Sequence, residues 1–175
     1  MTLFKEMKKK EEKIKREKRI VHLSVLGHEY AVPIDSIKEI IYSKSVHPLP
    51  GAIQTIEGVI NLRGKVVPVI DLRKKLNASS IPLASPEHIL IVEVRLQKVG
   101  LIVDRVNEVM SVREEQIQNV ESFVNQNAAY VDGIYRVGDR LIVSLDLEKL
   151  WTSAELTEIE TTLTRPLSDG LENSP

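Results

Sequence analysis

The chain has no cysteine, which excludes disulfides and thiolate metal sites and permits a reducing compartment. Aromatics are scarce: four Tyr, two Phe and one Trp give little material for a face that stacks nucleic-acid bases. A net charge of −1 supplies no field to gather polyanions. No apolar run approaches the length that spans a bilayer, and the charged opening residues do not read as a signal peptide. The four histidines, His22, His28, His47 and His88, stand far apart without ligand-like neighbours. No Gly-x-Ser-x-Gly elbow occurs, and the glycines flanking Asn61–Arg63 lack the Lys-Ser/Thr of a phosphate loop. The expectation is a protein with no catalytic centre, no metal and no cofactor.

What is present points to β structure. With 175 residues, 42% of them hydrophobic, the chain suits one domain or a tight pair of subdomains. The segment from Gly58 to Leu76 sets two apolar runs about an Arg63-Gly64-Lys65 turn, the pattern of a β-hairpin. Asp71 is a suitable N-cap for a short helix over Leu72–Leu76. The chain also repeats itself. Ile20–Ile41 aligns without gaps on Ile89–Met110, with Asp35 on Asp104, Ile37 on Val106, Glu39 on Glu108 and Ile40 on Val109. A looser match sets Gly58 and Asp71 on Gly133 and Asp146. Two small β units follow, too small to bury enough surface alone, and expected to share one core.

The predicted elements are the same in each copy. Hairpins are expected over Ile20–Leu26 with Glu29–Pro33, over His88–Leu96 with Val99–Val103, and over Tyr130–Val137 with Arg140–Leu145. Short helices are predicted after Asp35 or Ser36, with Ile37, Ile40 and Ile41 inward, over Asp104–Met110, and from Asp146 to Trp151. Pro68 marks its strand as an edge or a bulge. Residues 77–87, rich in Ser and Pro, form the linker between copies at about 20–76 and 88–151. Residues 1–19 hold nine Lys/Arg against four Glu, a net of +5, and suit an exposed helix. That extension is either solvated or a docking element for a partner or acidic lipid. Residues 152–175 carry five acidic side chains against Arg165 and read as a disordered tail.

Differences between the copies separate fold from function. Arg63 falls opposite Gly138, so only the first hairpin tip carries a planar cation. Either that guanidinium is solvated, or it meets Glu39 or a partner's carboxylate or carbonyl and fixes an orientation. Ile37, Val106 and Val109 are core residues or line a groove between the units. Glu39 and Glu108 read as solvated or salt-bridged charges in preference to an acid–base pair.

Gly58-Val-Ile-Asn-Leu-Arg-Gly64 with Val66–Leu72, Val99–Asp104 with Val106 and Val109, and Asp139–Val143 with Asp146–Leu150 resemble the CheW-type chemotaxis coupling proteins. The resemblance runs from about Ile20 to Trp151. It implies two SH3-like five-stranded β-barrels packed together, and a non-enzymatic cytoplasmic adaptor recruited to membrane-associated receptor arrays. Its partners would be the cytoplasmic tips of chemoreceptors and the CheW-like regulatory domain of the histidine kinase CheA, with self-association in arrays, no nucleic acid and no direct membrane insertion. The implied receptor groove takes Ile37, Glu39, Gly58, Asn61, Arg63, Val106 and Val109. An implied kinase or array contact takes Ile117, Gln118 and Phe123. The alternatives are a related adaptor in surface motility or development and, from another class, a small nucleic-acid-binding barrel.

Overall fold

A computed structural model of the chain describes residues 1–42, 45–76, 88–120 and 128–164. Helix α1 (Thr2–Lys15) precedes strands β1 (Glu17–Val25), β2 (His28–Pro33), β3 (Ile37–Tyr42), β4 (Ile56–Leu62) and β5 (Lys65–Asp71). The short helix α2 (Leu72–Leu76) follows, begun by Asp71, whose Oδ1 accepts the Arg73 backbone N–H at 2.9 Å. The second half holds β6 (His88–Val94), β7 (Gln97–Val103), β8 (Arg105–Arg113), β9 (Ile117–Gln118), β10 (Val131–Val137), β11 (Arg140–Leu145) and helix α3 (Ser153–Thr164). The protein is thus mainly β, with a few helices.

Two sheets form, ordered β8-β1-β2-β11-β10-β9 and β3-β6-β7-β5-β4. Strands β1 to β5 match β6, β7, β8, β10 and β11 in the sequence repeat, so both sheets share one plan. The register repeats too. Ala31 pairs with Ser144 across the parallel β2–β11 contact, and the repeat-related Gly100 pairs with Val69 across β7–β5. Yet neither sheet is one copy. The first sheet takes β1 and β2 from the first copy and its other four strands from the second; the second sheet takes β6 and β7 from the second copy and its other three from the first. The expected barrels over 20–76 and 88–151 are therefore corrected: the copies are interlaced, and β3–β7 form a continuous stretch inserted into the other sheet.

The apolar clusters explain why the halves need each other. One cluster lies within the first sheet, with Ile20, Ala31, Val112, Tyr135 and Ile142. Another lies within the second, with Ile60, Leu62, Val67, Val69, Ile89, Ile91 and Ile102. The largest spans both, running from Val21, Leu23 and Val32 through Leu90, Val92 and Leu101 to Leu145, Leu150 and Ile159. At roughly 25 cal/mol per Å² of apolar surface, this shared layer is the main term holding the sheets together.

Three predicted helices are corrected. Ile37–Tyr42 and Arg105–Arg113 are strands, each introduced by a tight turn or bend in place of a helical cap. Their β-branched residues alternate between faces, and pairing of β3 with β6 and of β8 with β1 satisfies their backbones. A register shift at Lys38 and at its counterpart Asn107 breaks the alternation, which lets the apolar residues mimic a helical spacing. Asp146 makes the same side-chain turn as Asp71, accepting the Glu148 N–H at 2.9 Å, but no helix follows it. The helix starts later, at Ser153, inside the segment expected to be disordered. Its residue Ile159 is buried and Leu156 packs on the shared cluster.

Pro68 is neither at an edge nor in a bulge. Strand β5 lies between β7 and β4, and its ladder to β7 covers only Val69–Asp71. The missing N–H of Pro68 therefore falls just before that ladder begins.

Candidate functional site

The β4–β5 hairpin closes in two residues, with Leu62 opposite Lys65 and positive φ at both Arg63 (52°) and Gly64 (80°). Such a turn matches the twist of the strands and favours Asn-Gly or Gly-Gly. Arg63 is thus held in a backbone region that costs a side-chain-bearing residue free energy. Asn61 steadies the turn, its Oδ1 accepting the Gly64 N–H at 2.8 Å. The Arg63 side chain donates to both Glu39 carboxylate oxygens, at 2.9 Å from Nη1 and 2.6 Å from Nη2. Those hydrogen bonds, and then the carboxylate's charge, push the Arg63 guanidinium up from its ordinary range.

This fork also reports the shape of the sheet. Glu39 lies on β3 and Arg63 at the tip of β4–β5, at opposite ends of the strand order. Their contact requires the sheet to curl until its two margins face each other. Gly58 serves that closure. With φ at +150°, it lies under the His47–Val59 bridge, and a Cβ there would sit 2.1 Å from the His47 carbonyl oxygen. The structure gives Gly58 a packing role.

Ile37 and Val106, related by the repeat, are half-buried and converge on the shared cluster. Glu39, Asn61 and Arg63 gather instead at the tip of the second sheet. Val109 is exposed on β8, and its repeat mate Ile40 is exposed on β3. Both strands are sheet margins, so each presents an apolar side chain beside an unpaired strand edge. Ile40 is expected to face inward; it shares a face with its partner Leu90, but its place on the marginal strand β3 leaves it exposed.

The second copy lacks the Arg63 fork. Glu108 there lies 3.6 Å from Arg140 Nη1 and 3.7 Å from Nδ1 of buried His22, which also meets Glu29 at 3.1 Å. Ile117 and Gln118 form β9, which pairs with β10 and closes over Gly133 much as His47 closes over Gly58. Ile117 packs on the first sheet's cluster. Phe123 lies outside the described residues. Among the described residues, no group of three His, Asp or Glu is placed to hold a metal ion.

Two charged constellations escaped the sequence reading. Arg73 is buried with Asp71, its Nη2 donating to Asp71 Oδ2 at 2.8 Å. Its Nη1 donates to Asp104 at 3.4 Å, and Asp104 accepts the Leu26 N–H at 2.6 Å. Three connections between strands are thereby tied together. The other pairs Lys75 with buried Glu155 at 2.6 Å, where Thr152 and Glu155 form a reciprocal cap on α3. The Thr152-Ser-Ala-Glu155 spacing ahead of Leu156 is the sequence signal that would have found that helix.

A family model described as a CheW-like domain matches residues 19–155. The chain is 34% identical to the chemotaxis protein CheW of Treponema pallidum over 140 residues, 77% of this chain and 82% of that protein. Against CheW of Bacillus subtilis the identity is 35% over 134 residues, 76% and 86% of the two chains. The crystal structure of the scaffolding protein TtCheW from Thermoanaerobacter tengcongensis aligns with a TM-score of 0.69 and 36% identity. That alignment covers 76% of this chain and 91% of the other. With strands β2 to β11 and nearly all of β1 inside the matched span, and the repeated sheet plan in place, this chain belongs to the CheW-like family.

Proposed function

We propose that the chain is a non-enzymatic adaptor that couples chemoreceptors to the histidine kinase CheA in chemotaxis. The observation that carries this reading is the likeness to CheW chemotaxis proteins across residues 19–155. The surface is consistent with it. Ile37 and Val106 lead from the shared layer to the exposed margins at Ile40 and Val109, an apolar track suited to a receptor's cytoplasmic helical hairpin. Arg63, oriented by Glu39, stands beside the second-sheet margin and sets register on the polar side. The kinase's CheW-like regulatory domain is assigned to the β9 margin of the first sheet, at Ile117 and Gln118, with Phe123 from outside the described residues. The adaptor works in the cytoplasm, at receptor arrays; among the described residues no helix is long and apolar enough to cross a membrane.

The test is titration of the purified chain with a receptor cytoplasmic fragment and, separately, with the kinase's regulatory domain. Saturable binding of both is expected, with Val109→Asp weakening only the first and Phe123→Ala only the second. Failure to bind either partner at tens of micromolar would sink the adaptor reading. Equal losses in both arms would sink the division of the surface.

A further inference from the structure

Helix α1 lies before the family domain, which begins at residue 19. Within it Leu3, Phe4 and Met7 are 73%, 70% and 55% exposed. Among the described residues, none of the three belongs to an apolar cluster. Among the described residues, no side chain of residues 1–12 enters an ion pair. A folded chain rarely leaves three large apolar side chains of one helix in water without a use for them.

Their spacing shows what use fits. Leu3 and Met7 are one helical turn apart on one face, with Phe4 beside them. Lysines frame that face: Lys8 stands one turn beyond Phe4, Lys10 nearly one turn beyond Met7, and Lys5 and Lys9 cover the flank. Residues 1–16 hold seven Lys/Arg against three Glu, a net of +4. Glu11, one turn past Met7, interrupts the stripe ahead of Ile14, so the continuous apolar face is confined to the first two turns. A short apolar stripe beneath a lysine collar matches an interface that is oily inside and anionic at its surface.

We propose that α1 is an interfacial anchor that lays Leu3, Phe4 and Met7 into the surface of an anionic bilayer, with its lysines among the headgroups. The charge of the helix selects the lipid, and the three apolar side chains make the contact more than electrostatic adhesion. The assignment stands apart from the adaptor reading, because it uses no residue of the family domain.

Full-length protein is to be sedimented with vesicles of phosphatidylcholine alone and of phosphatidylcholine with one-third phosphatidylglycerol, at low and high salt. Wild type should partition onto the anionic vesicles at least tenfold better than onto the neutral ones, and less at high salt. Leu3→Ser with Phe4→Ser, and separately Lys8→Glu with Lys9→Glu, should each lower partitioning at least tenfold. The melting temperature should hold in both variants, because α1 lies outside the clusters. No binding of wild type to anionic vesicles, or equal binding to neutral ones, overturns the proposal. So does unchanged binding of the Leu3→Ser/Phe4→Ser variant, which would reduce α1 to a polycation. Equal, serine-insensitive binding to duplex DNA would likewise mark the helix as a general polyanion binder.

Discussion

Arg63 combines a strained backbone, a bidentate partner and an exposed side chain. The strain makes a specific forecast. Arg63→Asn should raise the melting temperature by about a degree or more, since Asn accepts positive φ best among residues with a side chain. The same substitution should weaken receptor binding roughly tenfold or more, as should Arg63→Ala, through loss of a charge-assisted fork. Arg63→Lys should recover only part, because an ammonium cannot reproduce the planar donors. Glu39→Ala, if Glu39 acts by orienting Arg63, should be less than additive with Arg63→Ala in a double-mutant cycle. Calorimetric titration and thermal melts separate the outcomes. Wild-type affinity in Arg63→Asn would remove the residue from the site.

Among the elements, α3 depends on one carboxylate. Burial pushes the Glu155 carboxyl up, but the Lys75 ammonium, the Thr152 amide and further hydrogen bonding hold it below the usual carboxylate range. A depressed folded value means that ionised Glu155 stabilises the protein above its ordinary value near 4.5. That contribution is lost as pH falls through the lower, folded value. Glu155→Gln keeps a capping side chain but leaves the Lys75 charge buried without its partner, at a cost of about 3 kcal/mol near pH 7. Denaturation of both proteins from pH 7 to pH 3 should show the gap narrowing only below about pH 4.5. A gap constant with pH would mean that the ion pair adds nothing. Thr152→Ala, which loses only the cap, should cost about 1 kcal/mol at every pH.

A second element-scale forecast concerns Arg73. Removing its side chain strands buried Asp71 and unties Asp104 from α2. Arg73→Ala should therefore cost about 3 kcal/mol, read as a lower denaturant midpoint with an unchanged slope. A loss no larger than a surface substitution's would show that water replaces the guanidinium.

These elements also show what the sequence could convey. The hairpins were legible because Gly-containing turns and runs of Val and Ile are local signals, and Asp71 announced α2 for the same reason. Strands β3 and β8 were not, since one bulged residue in each shifts the apolar phase toward a helical spacing. The Arg63–Glu39 contact was open from residue type but needed a curled sheet, which is a property of five strands together. Arg73 gave no signal in the sequence, because the group that completes its ion-pair network, Asp104, comes from the other copy.

For the whole molecule, interlacing decides how the chain can be divided. Cutting within residues 77–87 separates β1–β5 from β6–β11, so each fragment holds two strands of one sheet and three or more of the other. Neither fragment should melt cooperatively alone. Mixed at equal concentration, they should restore the circular dichroism of the intact chain and a single transition, because every strand contact is then available. A cooperative melt of either fragment alone would contradict the shared core. Failure to recombine, with both fragments soluble, would show that the covalent link itself is needed.

The inserted order of the strands has a consequence during synthesis. Strands β3–β7 emerge in one unbroken series and can complete their sheet as soon as Val103 leaves the ribosome. The β1–β2 hairpin is made first, yet its neighbours β8 and β11 begin only at Arg105 and Arg140. At about 5–20 residues per second, the hairpin waits several seconds with both flanks open. During that interval its buried-to-be residues Val21, Leu23 and Val25 are exposed to chaperones and to other nascent copies. The first strands translated are thus among the last to be enclosed, and the interval before β8 arrives is when the chain is most open to misassembly.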